Sequence, residues 1–303
     1  HRIRVRRRHA KAGPTQPPTA SRSREEAPVR WGLLYGFCIV ALASHLVLDW
    51  SNNYGVRPFF PFNPRWYAGS FVFIVEPVML LLLVAALVAP ALFGLIAGEV
   101  GARRPRFRGR GWAIAALLAI AGLWELRFVE HGRAMQLAES GAYGLPADGP
   151  AEVERVAANP SPINPFAWHT VAETPGFYQL ARVDTLRGTF ETDASADRIF
   201  KPPTTLATLL AKRSWLGQAY LDWSSWPVVT DAGPAPLPAS GGAVDPAPRT
   251  ATQVTFRDLR FLYDVPGTDW KRSPPLGGEV FVDLAQPEPD RIAAMQLGGR
   301  QQR

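Results

Sequence analysis

Residues 31–50 read WGLLYGFCIVALASHLVLDW, and this stretch decides the fold. From Trp31 to Leu48 there is no Lys, Arg, Asp or Glu. Such a run is about long enough to cross a bilayer core of roughly 30 Å as a helix. Two more apolar runs follow. Phe71–Ala97 is interrupted only by Glu76, Pro77 and Pro90, and it is long enough to tilt or kink. Trp112–Trp124 reaches spanning length if it continues through Glu125 and Arg127 to Val129. The sequence therefore predicts a membrane domain over residues 31–139 with spans at about 31–49, 71–97 and 112–129.

The rest of the 303-residue chain differs. Mean hydropathy is near neutral only because a polar, Pro-rich and aromatic-rich half dilutes the apolar one. After a helical extension at Glu130–Glu139 and a Gly/Pro-rich link around Gly141–Pro150, short runs with β-branched or aromatic content recur at Trp168–Glu173, Phe177–Val183, Thr252–Phe256 and Glu279–Leu284. Thr204–Tyr220 reads as helical, one helix or two, with Leu206, Leu209, Leu210 and Trp215 as its apolar positions, and 231–249 reads as a loop. The expected fold class is membrane α-helical with about three spans, followed by a mainly antiparallel β (α+β) soluble domain over residues 150–303.

Charge sets the orientation. The net charge of +7 is concentrated in residues 1–30 and in Arg103–Arg110. Both segments lie on one side, two crossings apart, which predicts a cytoplasmic N-terminus and a C-terminal domain in the periplasm or outside the cell. A basic tail can bind nucleic acid, but beside a membrane span topology and contact with anionic lipid are the favoured reading. Residues 1–30 are expected to be disordered. The chain opens on His1 without a signal-peptide pattern, as a chain beginning inside a longer protein would. One cysteine, Cys38, excludes an intrachain disulfide or a cysteine metal cluster. Oligomeric state cannot be read from these features.

The chemistry-bearing residues cluster at the outer end of the spans. His45 and Asp49 are four apart and share one helix face. Imidazole and carboxylate at that spacing suit a divalent metal, zinc first, although Asp49 orienting His45 explains the spacing equally well. Counted along the helices, His45 lies about 7 Å inside Trp50 and Glu76 about 9 Å inside Ser70. The three side chains are thus expected at similar depth, with Glu76 as third ligand or general base and Pro77 kinking the helix beside it. Asn53 and Tyr54, in the turn Asn53-Tyr54-Gly55, and Arg127 on the third span are the candidates for substrate binding; His131 is a possible additional ligand. Plain structural roles compete for each of them: loop turn, snorkelling charge, interfacial anchor. His169 reads as an ordinary strand residue.

Several blocks together resemble a known family. Ser44-His45-Leu46-Val47-Leu48-Asp49-Trp50, Tyr54-Gly55, Pro61-Phe62 and Phe73-Ile74-Val75-Glu76-Pro77 resemble the YdjM/YbcI-type inner-membrane proteins, described as metal-dependent hydrolases. Pro162–Trp168, Val171–Thr174 and Phe256–Phe261 look like later blocks of the same family. The resemblance implies a bacterial inner-membrane location. It also implies a distant likeness to zinc-dependent phospholipase C and P1-type nucleases, with His45 and Asp49 as metal ligands and Glu76 where the family often has Asp. The reaction it implies is metal-dependent hydrolysis of a phosphoester, such as one in a lipid, at the outer face of the membrane. The family's upstream Asp-rich and His-Arg-x-x-Thr-His-Ser motifs have no counterpart here, which leaves an incomplete site or a member without catalysis. The alternative expectation is a non-enzymatic membrane protein whose outer domain binds a partner or envelope component.

Overall fold

The computed structural model describes residues 29–99, 109–143, 151–193, 195–238, 249–262, 276–288, 290–298 and 300–302. Most of the basic tail, of the Arg103–Arg110 loop and of the Gly141–Pro150 link lies outside the described residues. The chain divides into two compact units, His1–Ser44 and His45–Arg303. In the first, Trp31–Ser44 is helical and exposes Leu33, Phe37, Val40 and Leu42.

Among the described residues three helices are long and apolar enough to cross a membrane: α1 (Trp31–Ser51), α2 (Pro77–Glu99) and α3 (Arg110–Glu139). Leu81, Val84 and Leu87 on α2 and Ile114, Leu117 and Leu118 on α3 are exposed. A helix apolar on all sides that leaves such side chains uncovered is built for lipid rather than water. The expected fold class of spanning helices followed by antiparallel sheets is the one observed.

The second helix begins six residues later than the apolar run suggested, and the reason is local. Phe71–Glu76 is not helical, with Val72 bridging Asn52. The amides of Phe71 and Val72 donate to the Ser51 carbonyl (3.1 and 3.0 Å), and that of Gly69 to Trp50 (2.6 Å). The returning chain thus satisfies carbonyls that the end of α1 leaves open. Pro77 does not kink a helix; it is the first residue of one, where its missing N–H costs nothing.

At about 1.5 Å per residue the 30-residue α3 is roughly 45 Å long, more than a bilayer needs. Its last turns serve the β-rich domain. Ala134 is fully buried in a cluster with Phe71, Val72, Ala158, Trp168 and Val183. Small side chains on that face let a sheet approach the helix backbone closely.

That sheet runs β1 (Arg155–Pro160), β2 (Ala167–Glu173), β3 (Phe177–Asp184), β4 (Thr189–Glu191), all antiparallel, with β5 (Arg198–Phe200) on the other half of β3. The stretch expected to be helical, Thr204–Tyr220, holds two helices: α4 (Leu206–Arg213) and α5 (Trp215–Trp223). Ser214 divides them, extended at ψ 159°, and its side chain accepts from Gly217 N. A second antiparallel sheet follows: β6 (Pro227–Pro236), β7 (Thr250–Asp258), β8 (Gly278–Val282), β9 (Ile292–Leu297), β10 (Arg300–Gln302). Here β6 corrects the expected loop over 231–249, since Asp231–Pro236 is strand. Its prolines are tolerated because β6 is an edge strand, bulged at Asp231/Gly233, where Gly233 has φ +83°.

Besides the cluster around Ala134, two more apolar clusters among the described residues hold this domain. Ala207, Ala211, Leu216 and Tyr220 of the helices pack on Val254, Phe256, Val280 and Val282 of the second sheet. Val171, Tyr178 and Leu180 of the first sheet meet Trp226, Val228, Leu259 and Leu262.

Candidate functional site

His45 and Asp49 stand in the last turns of α1, with Nε2 to Oδ2 at 3.3 Å, as their spacing predicts. Both side chains face outward, 70 % and 38 % exposed. They offer two donors to an ion, fewer than the roughly three protein ligands that a catalytic zinc takes. Among the described residues no group of three His, Cys, Asp or Glu side chains is placed to hold a metal. The described residues therefore do not by themselves fit the metal centre that the resemblance implies.

Glu76 has a different occupation. It sits just before α2, its carbonyl accepting from Leu80 N at 3.1 Å, and its carboxylate is wholly buried against Arg127 of α3 (2.9 Å). Arg127 also donates to the Ser161 carbonyl at 3.3 Å, beside the first sheet. Both side chains of this pair are inaccessible to solvent. Burying either charge alone would be costly, so each answers the other. One turn further on, buried Glu130 accepts from Arg133 (2.6 Å), and the His131 ring lies 5.4 Å from that of Trp168.

The loop after α1 is tied to the β-rich domain residue by residue. The Asn52 side chain accepts from the amides of Tyr54 (2.7 Å) and Gly55 (3.1 Å), a turn built by its own amide group. Gly55 takes φ +86°, and a Cβ there would stand 3.1 Å from the Tyr67 carbonyl, so glycine is required. Asn53 is completely buried. Its carbonyl accepts from Arg260 Nη1 at 2.6 Å. Asp258 grips Arg260 with both carboxylate oxygens (2.8–3.1 Å) and accepts from Ser224 Oγ at 2.6 Å. Tyr54 gives its carbonyl to Trp223 Nε1 (3.1 Å) and its ring to the Trp223 face, 5.0 Å away. Arg57 pairs with Asp222 at 2.5 Å, and Trp66 Nε1 donates to the same carboxylate at 3.4 Å.

The structure thus brings His45 to Asp49 and Glu76 to Arg127, while Asn53 and Tyr54 serve the junction with the β-rich domain. Asp222, Asp258 and Arg260 were missed as partners, because the partner of Arg260 lies more than two hundred residues away in sequence. A hint existed in Asp258-Leu259-Arg260, where an aspartate two residues before an arginine can close a turn and hold the guanidinium at once.

A cavity of about 290 Å³ opens on the first sheet. His169, Arg182 and Glu191 lie directly opposite one another across β2, β3 and β4 and line it with Trp168, Asp184 and Leu262. His45, Asp49 and Glu76 do not border this cavity.

Residues 8–134 match the profile of the YdjM inner membrane protein family. The match takes in all three apolar helices up to the first turns of α3 that pack on the sheet; the blocks at 162–174 and 256–261 lie beyond it. No curated protein and no solved structure matches the chain. With its lipid-adapted helices and the blocks at His45–Asp49 and Glu76–Pro77 inside the matched region, the helical part of this chain is similar to the YdjM inner membrane protein family.

Proposed function

We propose that the protein is a membrane-anchored binding protein: its YdjM-type helices hold a β-rich domain in one fixed attitude at the bilayer surface, where that domain meets a partner or envelope component. One observation carries the reading. Asn53, Glu76 and Arg127, three of the candidate site residues, are completely buried in contacts between loop, helix and β-rich domain. Buried polar groups that pair with one another fix geometry, since displacement breaks those pairs in a poor solvent. The recess bordered by His169, Arg182 and Glu191 is the part of the domain shaped to receive a ligand group.

Spin labels at Phe62 and Leu186, on the loop and on the β-rich domain, test the reading by pulsed electron–electron distance measurement in nanodiscs. The Cys38→Ser background removes the one native thiol. A single narrow distance distribution that broadens in Arg127→Met/Arg260→Met is expected. A broad distribution in the otherwise unaltered protein would refute a fixed attitude.

Metal-dependent hydrolysis of a phosphoester or lipid-linked substrate at the outer face of the inner membrane is the second reading. It is favoured by the outward-facing His45–Asp49 pair at 3.3 Å. It requires donors beyond this pair. Zinc or manganese near one equivalent in the detergent-purified protein, lost in both His45→Ala and Asp49→Ala, would support the metal site it needs and justify a phosphoesterase screen. Absence of metal after reconstitution would dismiss it. In either reading the N-terminus is placed in the cytoplasm by the positive-inside rule.

A further inference from the structure

The segment between α1 and α2 carries Phe59-Phe60-Pro61-Phe62, and its exposure is unusual for a soluble loop. Phe62 is 96 % exposed, and Phe59 and Phe60 also face outward. Their arrangement is nonetheless ordered. Val56 and Tyr67 pair across the base of the loop by two backbone hydrogen bonds of 2.9 Å. Asn63 Nδ2 donates to the Tyr67 hydroxyl at 3.1 Å, the Phe59 and Tyr67 rings meet edge to face at 5.7 Å, and the Arg57 guanidinium lies 4.8 Å over the Phe60 ring. Three phenylalanines are therefore held out on a braced support, an arrangement that water disfavours.

The ends of the segment say what covers it. Ser51 closes one helix built for lipid and Pro77 opens another, so both ends of the loop meet the same bilayer surface. Exposed Trp50, Ile74 and Val75 continue the apolar surface from the helices toward the loop. Aromatic rings are favoured at the headgroup level of a membrane, and Arg65, exposed three residues after Phe62, suits the phosphates there. We infer that Phe59–Phe62 is a wedge that inserts into the headgroup–acyl boundary of the same leaflet. Through Arg57–Asp222, Trp66–Asp222 and the Trp223–Tyr54 hydrogen bond, it props the α5 end of the β-rich domain against that surface. The inference does not depend on what the domain binds.

Nitroxide accessibility measures this directly in the full chain, reconstituted in phosphatidylglycerol/phosphatidylethanolamine nanodiscs on the Cys38→Ser background. Phe62→Cys is compared with Leu87→Cys on the exposed face of α2 and with Leu186→Cys in the turn after β3, both well exposed. Phe60→Cys gives a second reading from the same loop. Labels at 60 and 62 should be relaxed more by oxygen than by a water-soluble nickel chelate, as at 87, while the order reverses at 186. Labels at 60 and 62 that behave like 186 would overturn the wedge. Labels shielded from both reagents would overturn it too, showing the loop covered by protein rather than lipid.

Discussion

Substituting Arg260 with Met removes one charge from a place where three elements meet. The guanidinium is 5 % exposed and Asp258 not at all. Arg260 makes hydrogen bonds of 2.8–3.1 Å to both carboxylate oxygens and one of 2.6 Å to the Asn53 carbonyl. Its carbon lies 5.2 Å from the ring centres of Trp223 and of Phe261. Methionine fills much of the same volume, so the main loss is electrostatic: among the described residues Asp258 keeps the Ser224 hydroxyl and the backbone amide of residue 260 as hydrogen-bond donors. Breaking a buried pair on one side costs about 3–5 kcal/mol, against a total stability of roughly 5–15 kcal/mol. For a domain of this size that is a fall in melting temperature of about 6–20 °C. Thermal unfolding in detergent, followed by tryptophan fluorescence, would report it because Trp223 stands beside the lost group. Arg260→Lys should fall between the two, keeping charge but not the fork of donors. Asp258→Asn/Arg260→Met should lose less than the sum of the single losses, since neither partner is then left as an unpaired charge. A melting temperature unchanged in Arg260→Met, or strictly additive losses in the double variant, would refute the assignment of Arg260 as the pin of this junction.

Two further outcomes follow from local geometry. Burial raises the Glu173 carboxyl, but hydrogen bonds from Lys201 (2.9 Å) and Arg155 and their charges outweigh it and hold the group below the usual carboxylate range. A depressed folded value gives stability that is present above the unfolded pKa, about 4.3, and lost as pH falls through the folded one. Melting temperature between about pH 3 and 7 should therefore drop on the acid side less steeply in Glu173→Gln than in the unaltered protein; equal slopes would remove Glu173 from the account. At Gly217 an added Cβ would stand 2.1 Å from the Ala211 carbonyl oxygen, so Gly217→Ala must spread α4 from α5 and should cost about 1–3 kcal/mol. Gly122→Ala, where nothing lies within 4 Å, should leave melting unchanged, and parity between the two would show that the α4–α5 corner is not tight.

The fold class was legible because hydropathy acts over whole segments. Trp31–Leu48 has one physical reading whatever surrounds it, and the strands at 167–173 and 177–184 declare themselves by their own side chains. Boundaries that depend on one residue were less visible. Pro77 reads equally as a kink or as a helix start, and only the carbonyls of Trp50 and Ser51, taken up by the returning chain, decide between them. Ser214 had the side chain to cap a helix, yet Leu209, Leu210 and Trp215 kept a helical spacing across it. At the candidate site, His45 and Asp49 were legible because their contact is local, four residues along one helix. The fate of Glu76 was not, since Arg127 lies on another helix and depth alone cannot tell a metal from a guanidinium.

The division of labour along α3 explains why a charged pair sits where it does. Residues such as Leu117 and Leu118 are exposed, as a lipid-facing helix requires, whereas Ala134 and Ala138 are buried completely. Between these regimes stand Arg127 and Glu130, both buried. A well-packed apolar pair would hold α2 to α3 as strongly as Glu76–Arg127, because desolvation cancels most of the attraction between buried charges. It would not hold them in one register. Leucine against leucine tolerates a slip of a helical turn, about 5.4 Å, whereas the same slip would strand a carboxylate and a guanidinium unpaired where no water reaches them. Since Arg127 also reaches the Ser161 carbonyl, fixing the register of α3 fixes the first sheet with it. The attitude of the β-rich domain is thus set where the helix changes from facing lipid to facing protein.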